Sequence, residues 1–232
     1  MNDSLCVIPA RCGSKGLKDK NILELYGKPV LAYTIETCRK SGIFKDVYVA
    51  TDSEKYARIA EQYGAKVPFL EPPEMAGDNI PSLEPILYFY EKLGYEYDFI
   101  WCMQPTSPLR TSKDIIDAYN IISNDPLCEF VLGTTIVDPH YFHWVLTDRD
   151  NKMAEMYFGK KMLVDRSELK DIVYRPNGAI KVGRTASVMK EKSFFGNNIR
   201  RIELPEERAV HIRSQFDFDL CSFLLKQRKG VG

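Results

Sequence analysis

The chain has 232 residues, 44% hydrophobic and 28% charged, which suits one large globular domain or a domain with a subdomain. Its 32 basic and 32 acidic residues cancel, which argues against a nucleic-acid binder, since these usually carry a basic excess. No apolar run approaches the roughly 20 residues of a membrane span, and MNDSLCVIPA lacks the basic start and long apolar core of a signal peptide, so a cytoplasmic protein without a membrane partner is expected. The six cysteines form no CxxC pair and several sit in apolar runs, as reduced core thiols do.

Leu5 to Pro9 reads as a buried strand. Residues 29–41 carry Val30, Leu31, Ile35 and Cys38 at helical spacing, with Pro29 suited to a first helical turn and Gly42 to a stop. DVYVAT (46–51) is a strand, and SEKYARIAEQYG (53–64) a helix capped by Asp52 or Ser53 and closed by Gly64. AKVPFL is a short strand with Pro68 marking an edge. EPPEMAGDNIP (71–81) is a loop, 82–93 a helix, DFIWCM (98–103) a strand, TSKDIIDAYNIISN (111–124) a helix and EFVLGTTIV (129–137) a strand. The alternation predicts an α/β fold, a mostly parallel, doubly wound sheet with helices on both faces.

The alternation breaks near residue 138. The aromatic-rich segment 140–175, with His140, Tyr141, Phe142, His143 and Trp144, reads as an arm or subdomain inserted in a single domain spanning 1–232. GAIKVG (178–183) resumes the strand pattern, and FDFDLCSFLLKQR (216–228) is a final amphipathic helix.

In parallel sheets of this kind, ligands bind beyond the carboxyl ends of the strands. The loop after the first strand gathers Arg11, Lys15, Lys18 and Lys20 beside Gly13 and Gly16. Cations among flexible backbone N–H groups suit a polyphosphate, although an ordinary solvated turn reads the same way. A Walker loop fails here because Pro29 follows Gly27-Lys28, and GxGxxG is absent.

The stretch IPARCGSKGLKDKN (8–21) resembles the signature of the acylneuraminate cytidylyltransferases, or CMP-sialic acid synthetases. ATDS (50–53), PEMAGDN (73–79), QPTSPLR (104–110), RPNGAI (175–180) and Phe194-Phe195 match the same family in the same order. The resemblance implies a Rossmann-like nucleotide-diphospho-sugar transferase fold, and transfer of CMP from CTP to a nonulosonic acid with release of pyrophosphate. It implies that Arg11, Ser14 and Lys20 hold the triphosphate, with Arg11 and Lys20 neutralising charge as the reaction proceeds. It places Asn21 on the cytosine, Ser82 on the ribose, and Gln104, Arg166, Phe194 and Phe195 around the sugar. It also implies Mg²⁺ as cofactor and a homodimer formed through an arm such as 140–175.

Each of these residues has a plainer reading. Lys15 and Lys18 suit solvated loop charges, Gln104 a strand-end cap, and Phe194 and Phe195 core. The chain also departs from the family. Glu71 stands where the family carries an arginine contacting the triphosphate, Lys181 stands for a tyrosine of the sugar pocket, and His211 and Arg213 stand for two metal-binding aspartates. Arginine cannot ligate Mg²⁺ and histidine is a poor ligand for it, so the metal ligands are unassigned. Asp217 and Asp219 lie nearby but suit helix N-terminal charges. Arg213 is expected to supply a cation near the triphosphate, Lys181 either pairs with a sugar carboxylate or is an exposed strand charge. Two alternatives accompany the cytidylyltransferase reading: a related nucleotidyltransferase with another nucleotide or sugar, and a non-catalytic nucleotide-binding paralogue.

Overall fold

The structure is a computed structural model that describes residues 3–13, 16–75, 77, 80–94, 96–138, 146–148, 154–156 and 172–229. Strand β1 (Ser4–Pro9) is buried almost throughout and lies between two parallel neighbours, β4 (Val47–Ala50) and β5 (Phe99–Cys102). Its side chains alternate between two apolar layers. Cys6 and Ile8 pack with Leu31, Ile35 and Cys38 of α1 (Val30–Ser41) and Ile115, Ala118 and Ile122 of α4 (Ser112–Asn124). Leu5 and Val7 pack on the other face with Ile86 and Phe89 of α3 (Glu84–Leu93) and Val188 of α5 (Thr185–Glu191). Burial on both faces explains why these strands read as unbroken apolar runs.

The sheet is completed by β6 (Phe130–Val137), β9 (Val173–Arg184) and β10 (Ile199–Glu203), in the order β10-β6-β9-β5-β1-β4. It is mostly parallel and doubly wound, as expected, with one exception. β9 runs antiparallel to both β5 and β6, with a register shift between Leu132 and Thr134. That reversal brings the entry half of β9, from Arg175 to Gly178, toward the edge where β1, β4 and β5 end. Two small ribbons stand apart, β2 (Glu24–Leu25) with β3 (Lys28–Pro29), and β7 (Leu146–Asp148) with β8 (Ala154–Met156). The second ribbon falls within the expected arm at 140–175, most of which lies outside the described residues.

Helix ends follow their local chemistry. Gly42 closes α1 at φ 68, and Gly94 closes α3 at φ 62, conformations that glycine adopts without steric penalty. Ser53, rather than Asp52, caps α2 (Glu54–Gln62) by accepting from the Tyr56 N–H. Pro29 is the N-cap residue of α1 and not part of its first turn. The expected strand AKVPFL reduces to one bridge between Lys66 and Tyr48, because Pro68 has no N–H to extend the ladder. The final helix, α6 (Gln215–Lys229), covers a third apolar cluster of Leu25, Val30, Leu109, Ile212, Cys221 and Leu225.

Helix α4 begins directly after the QPTSPLR loop with a complete capping box, Thr111 accepting from the Asp114 N–H and Asp114 from the Thr111 N–H. Asp114 also receives Arg208 at 2.7 Å, which ties the segment preceding α6 to α4. Thr111→Ala is expected to lower stability by about 1 kcal/mol, measured as the shift in a urea unfolding midpoint at unchanged slope.

Candidate functional site

At the carboxyl ends of β1, β4 and β5 the chain leaves a cavity of about 520 Å³. Arg11 and Lys20, from the loop after β1, line it with Asn21, Ser82, Gln104 and His211. The loop is held by its neighbours. Asp52, just beyond β4, accepts from the Cys12 backbone N–H at 2.8 Å and from its thiol at 3.3 Å. Asn21 is buried and donates to the Arg11 carbonyl at 3.2 Å, while Tyr56 donates to Asp19 at 3.0 Å. The bond to Asp52 and burial push the Cys12 thiol up, so this cysteine is kept as a neutral donor.

Gly16 lets the loop approach the segment before α6. A Cβ on Gly16 would stand 2.7 Å from the Arg213 carbonyl oxygen. That contact brings Arg213 close enough for its charge to act on Lys20. Burial first, then Arg11 and Arg213, hold the Lys20 ammonium below its ordinary range.

A second cavity of about 280 Å³ shares Gln104 and His211 with the first. Its other walls include Asn177, Gly178, Lys181, Phe195 and Arg213. Gly178 sits at φ 78, and a Cβ there would stand 2.9 Å from Gln104 Oε1 and 3.4 Å from His211 Nδ1. The backbone of β9 is therefore in close approach to both residues that the two cavities share.

His211 occupies the junction. Its ring nitrogens lie 3.0 Å from Thr106 Oγ1 and 3.0 Å from Ser107 Oγ. Burial lowers its pKa to about 4, reinforced by Arg213, Lys20, Arg110 and Lys181. The imidazole is thus neutral among four cations. Arg110 is itself buried and donates to the Gln104 carbonyl, fixing the strand end that carries that residue.

Of the residues singled out in the sequence, Arg11, Lys20, Asn21 and Ser82 line the first cavity, Lys181 and Phe195 the second, and Gln104 both. Phe194 does not join them. It is 5% exposed and packs in the core with Leu5, Phe130 and Val188, whereas Phe195 is 50% exposed and faces the cavity. The chain bends at Phe194, and the path it takes divides the pair between core and cavity. Ser14, Lys15 and Arg166 lie outside the described residues. Arg213 lines the second cavity and influences Lys20, so it adds charge beside the loop; Glu71 lines the first cavity. Thr106 and Ser107, which hold His211, were hidden in QPTSPLR, where adjacent hydroxyls carry no distinctive signal.

His211 and Arg213, at the positions the resemblance gives to metal-binding aspartates, offer magnesium no carboxylate. The junction presents Arg11, Lys20, Lys181 and Arg213 around a neutral imidazole, and among the described residues no group of three or more His, Cys, Asp or Glu side chains could hold a metal. Asp217 is occupied at the start of α6, accepting from the Arg213 and Ser214 N–H groups at 2.8 Å, while Asp219 accepts from Gln215. Burial opposes ionisation of Asp217, but those N–H bonds hold its carboxyl below the usual range. Both aspartates are thus accounted for by the helix start.

Comparison with known proteins is consistent with this geometry. The family model described as cytidylyltransferase matches residues 5–172. An N-acylneuraminate cytidylyltransferase of Escherichia coli O18:K1:H7 is 34% identical, over 97% of this chain and 52% of that protein. The chain spans about half the length of the curated relatives it matches first. A pseudaminic acid cytidylyltransferase of Campylobacter jejuni is 30% identical over 96% of both chains, and a CMP-N,N'-diacetyllegionaminic acid synthase of Legionella pneumophila 27% identical over 96% of both. Among solved structures, a CMP:2-keto-3-deoxy-manno-octonic acid synthetase complexed with CTP superposes with a TM-score of 0.74 at 17% identity, covering 98% of this chain and 100% of that one. This last likeness concerns the fold.

The neutral His211 sets a pH dependence. Its folded pKa, about 4, lies below the ordinary 6.5, so its contribution to stability is present above pH 6.5 and is lost as pH falls toward 4. His211→Asn is expected to show a shallower loss of melting temperature across that window than the parent chain, by thermal unfolding at stepped pH.

Proposed function

Because the chain belongs to the cytidylyltransferase family, we propose that it transfers CMP from CTP to the anomeric hydroxyl of a sialic-acid-like nonulosonic acid, releasing pyrophosphate. The observation that carries this reading is the pair of adjoining cavities that share Gln104 and His211, one lined by the cationic loop after β1 and the other by Lys181 and Arg213. A triphosphate suits the first. An acid sugar, whose carboxylate seeks a cation, suits the second.

In this reading Arg11 and Lys20 hold the triphosphate, and Lys20, with its lowered proton affinity, gains a counter-charge when CTP arrives. Asn21 and Ser82 are assigned to the nucleoside, and Gln104, Lys181 and Phe195 to the sugar. The sugar oxygen forms a bond to the α-phosphorus as the bond from that phosphorus to the bridging oxygen breaks, and pyrophosphate departs in line. The hydroxyl proton is released. No covalent intermediate with the protein is needed, so positioning and charge neutralisation supply the acceleration. Ser14 and Arg166 are carried as further contacts on the strength of the resemblance alone. A homodimer and a cytoplasmic setting belong to the same proposal. The six free cysteines support the setting, and no described helix is long and apolar enough to cross a membrane.

The carboxylate-poor junction favours a second reading, a paralogue that binds nucleotide without turning it over. One experiment separates the two. Purified protein is offered each of the four ribonucleoside triphosphates with N-acylneuraminic, pseudaminic and N,N'-diacetyllegionaminic acids in Mg²⁺ buffer, and pyrophosphate release is followed. Release with CTP and one of these acids is the expected result, whereas CTP binding without release supports the paralogue. Arg11→Ala is expected to lower kcat/KM by about 100-fold, and near-unchanged turnover would contradict the role given to Arg11.

A further inference from the structure

Among the described residues, Glu71 is the one ionisable carboxyl lining the first cavity, and the proposed reaction does not use it. Its backbone N–H donates to the Thr51 carbonyl at 2.8 Å, which fixes it beside the end of β4. The side chain lines the cavity yet is 4% exposed, and its Oε1 has no hydrogen-bond partner among the described residues. A buried carboxyl oxygen left in this way is costly unless something else completes it. Burial, and then the Asp52 carboxylate, push its pKa up to about 7, so near neutrality it is available as an acid with one donor and one acceptor.

The surroundings indicate what it would meet. Met75, Ile80 and Pro85 also line this cavity, whose cations are Arg11 and Lys20. The cavity therefore combines apolar surface and a carboxyl with a cationic loop. A nucleotide has the matching parts, a flat base with a polar edge joined to a triphosphate.

We propose that Glu71 reads the cytosine ring, its protonated oxygen donating to N3 while its carbonyl oxygen accepts from the 4-amino group. This rests on the cytidylyltransferase reading above. The ionised carboxylate has no donor for N3 and sets its charge against that lone pair, so deprotonation weakens the grip. The base would then be held by an acid whose protonation state the fold has set, and nucleotide affinity would depend on pH.

The test is calorimetric titration of CTP, without acceptor sugar, into the parent chain, Glu71→Gln and Glu71→Ala between about pH 6 and pH 8.5. The Gln amide keeps one donor and one acceptor at every pH, so it mimics the neutral acid. Among the described residues, Asp52, Arg11, Lys20 and His211 are the other charged or titratable groups at the cavity, and all remain in Glu71→Gln. The triphosphate's own titration is likewise common to both proteins. Affinity of the parent chain is expected to fall by up to about 10-fold per pH unit above neutrality, relative to Glu71→Gln. Glu71→Ala is expected to bind about 10-fold more weakly at the acid end. Parallel pH slopes for the parent and Glu71→Gln overturn the proposal even if Glu71→Ala fails to fold. Absence of CTP binding by a folded parent chain overturns the cytidylyltransferase reading as well, so the two failures are told apart.

Discussion

Like charges brought together repel, and the cleft is organised around that constraint. Lys20 is held below its ordinary proton affinity by burial and by Arg11 and Arg213, and His211 is held neutral beside Arg213, Lys20, Arg110 and Lys181. Such a concentration of cations persists because the fold fixes it from several directions. Asp52 and Asn21 brace the loop that carries Arg11, Gly16 admits the Arg213 backbone, and Asp114 anchors Arg208 at the base of the same segment. The potential created in this way is a standing attraction for a polyanion, and each of those braces prepares it before any ligand arrives.

Much of the architecture was legible because its causes are local. Runs such as Leu5–Pro9 and DFIWCM are apolar on both faces since they are covered on both faces, and the helices between them are marked by Ser53, Thr111, Gly42 and Gly94. What escaped was set by tertiary context. β10 has the sequence IRRIE, of which only Ile202 is buried, so at an edge position it carries neither an unbroken apolar run nor a clean alternation. The reversed direction of β9 leaves no mark on its own residues. Phe194 and Phe195 are chemically alike, and only the path of the chain decides which enters the core.

The cleft shows the same division. Arg11, Lys20 and Gln104 were recognisable because they stand in motifs, and Ser82 through the resemblance, and the structure gathers these four around adjoining cavities. The departures at 71, 211 and 213 were visible as substitutions, but their joint effect was not. Together they leave the junction of the cavities rich in nitrogen and poor in carboxylate among the described residues, with the Glu71 carboxyl of the first cavity held close to its neutral form. Charge balance in the cleft is thus shifted as a whole, and no single position among the three describes it.

Strand β9 has a bearing on how the molecule is made. It spans 12 residues, and it alone joins β5 on one side to β6 on the other. Until it emerges from the ribosome, the first three sheet strands and the β6 segment are separate pieces with bare flanks, and no amount of waiting can unite them. The nascent chain must therefore carry open backbone edges until residues 173–184 have emerged, and the closing of the sheet is a long-range event.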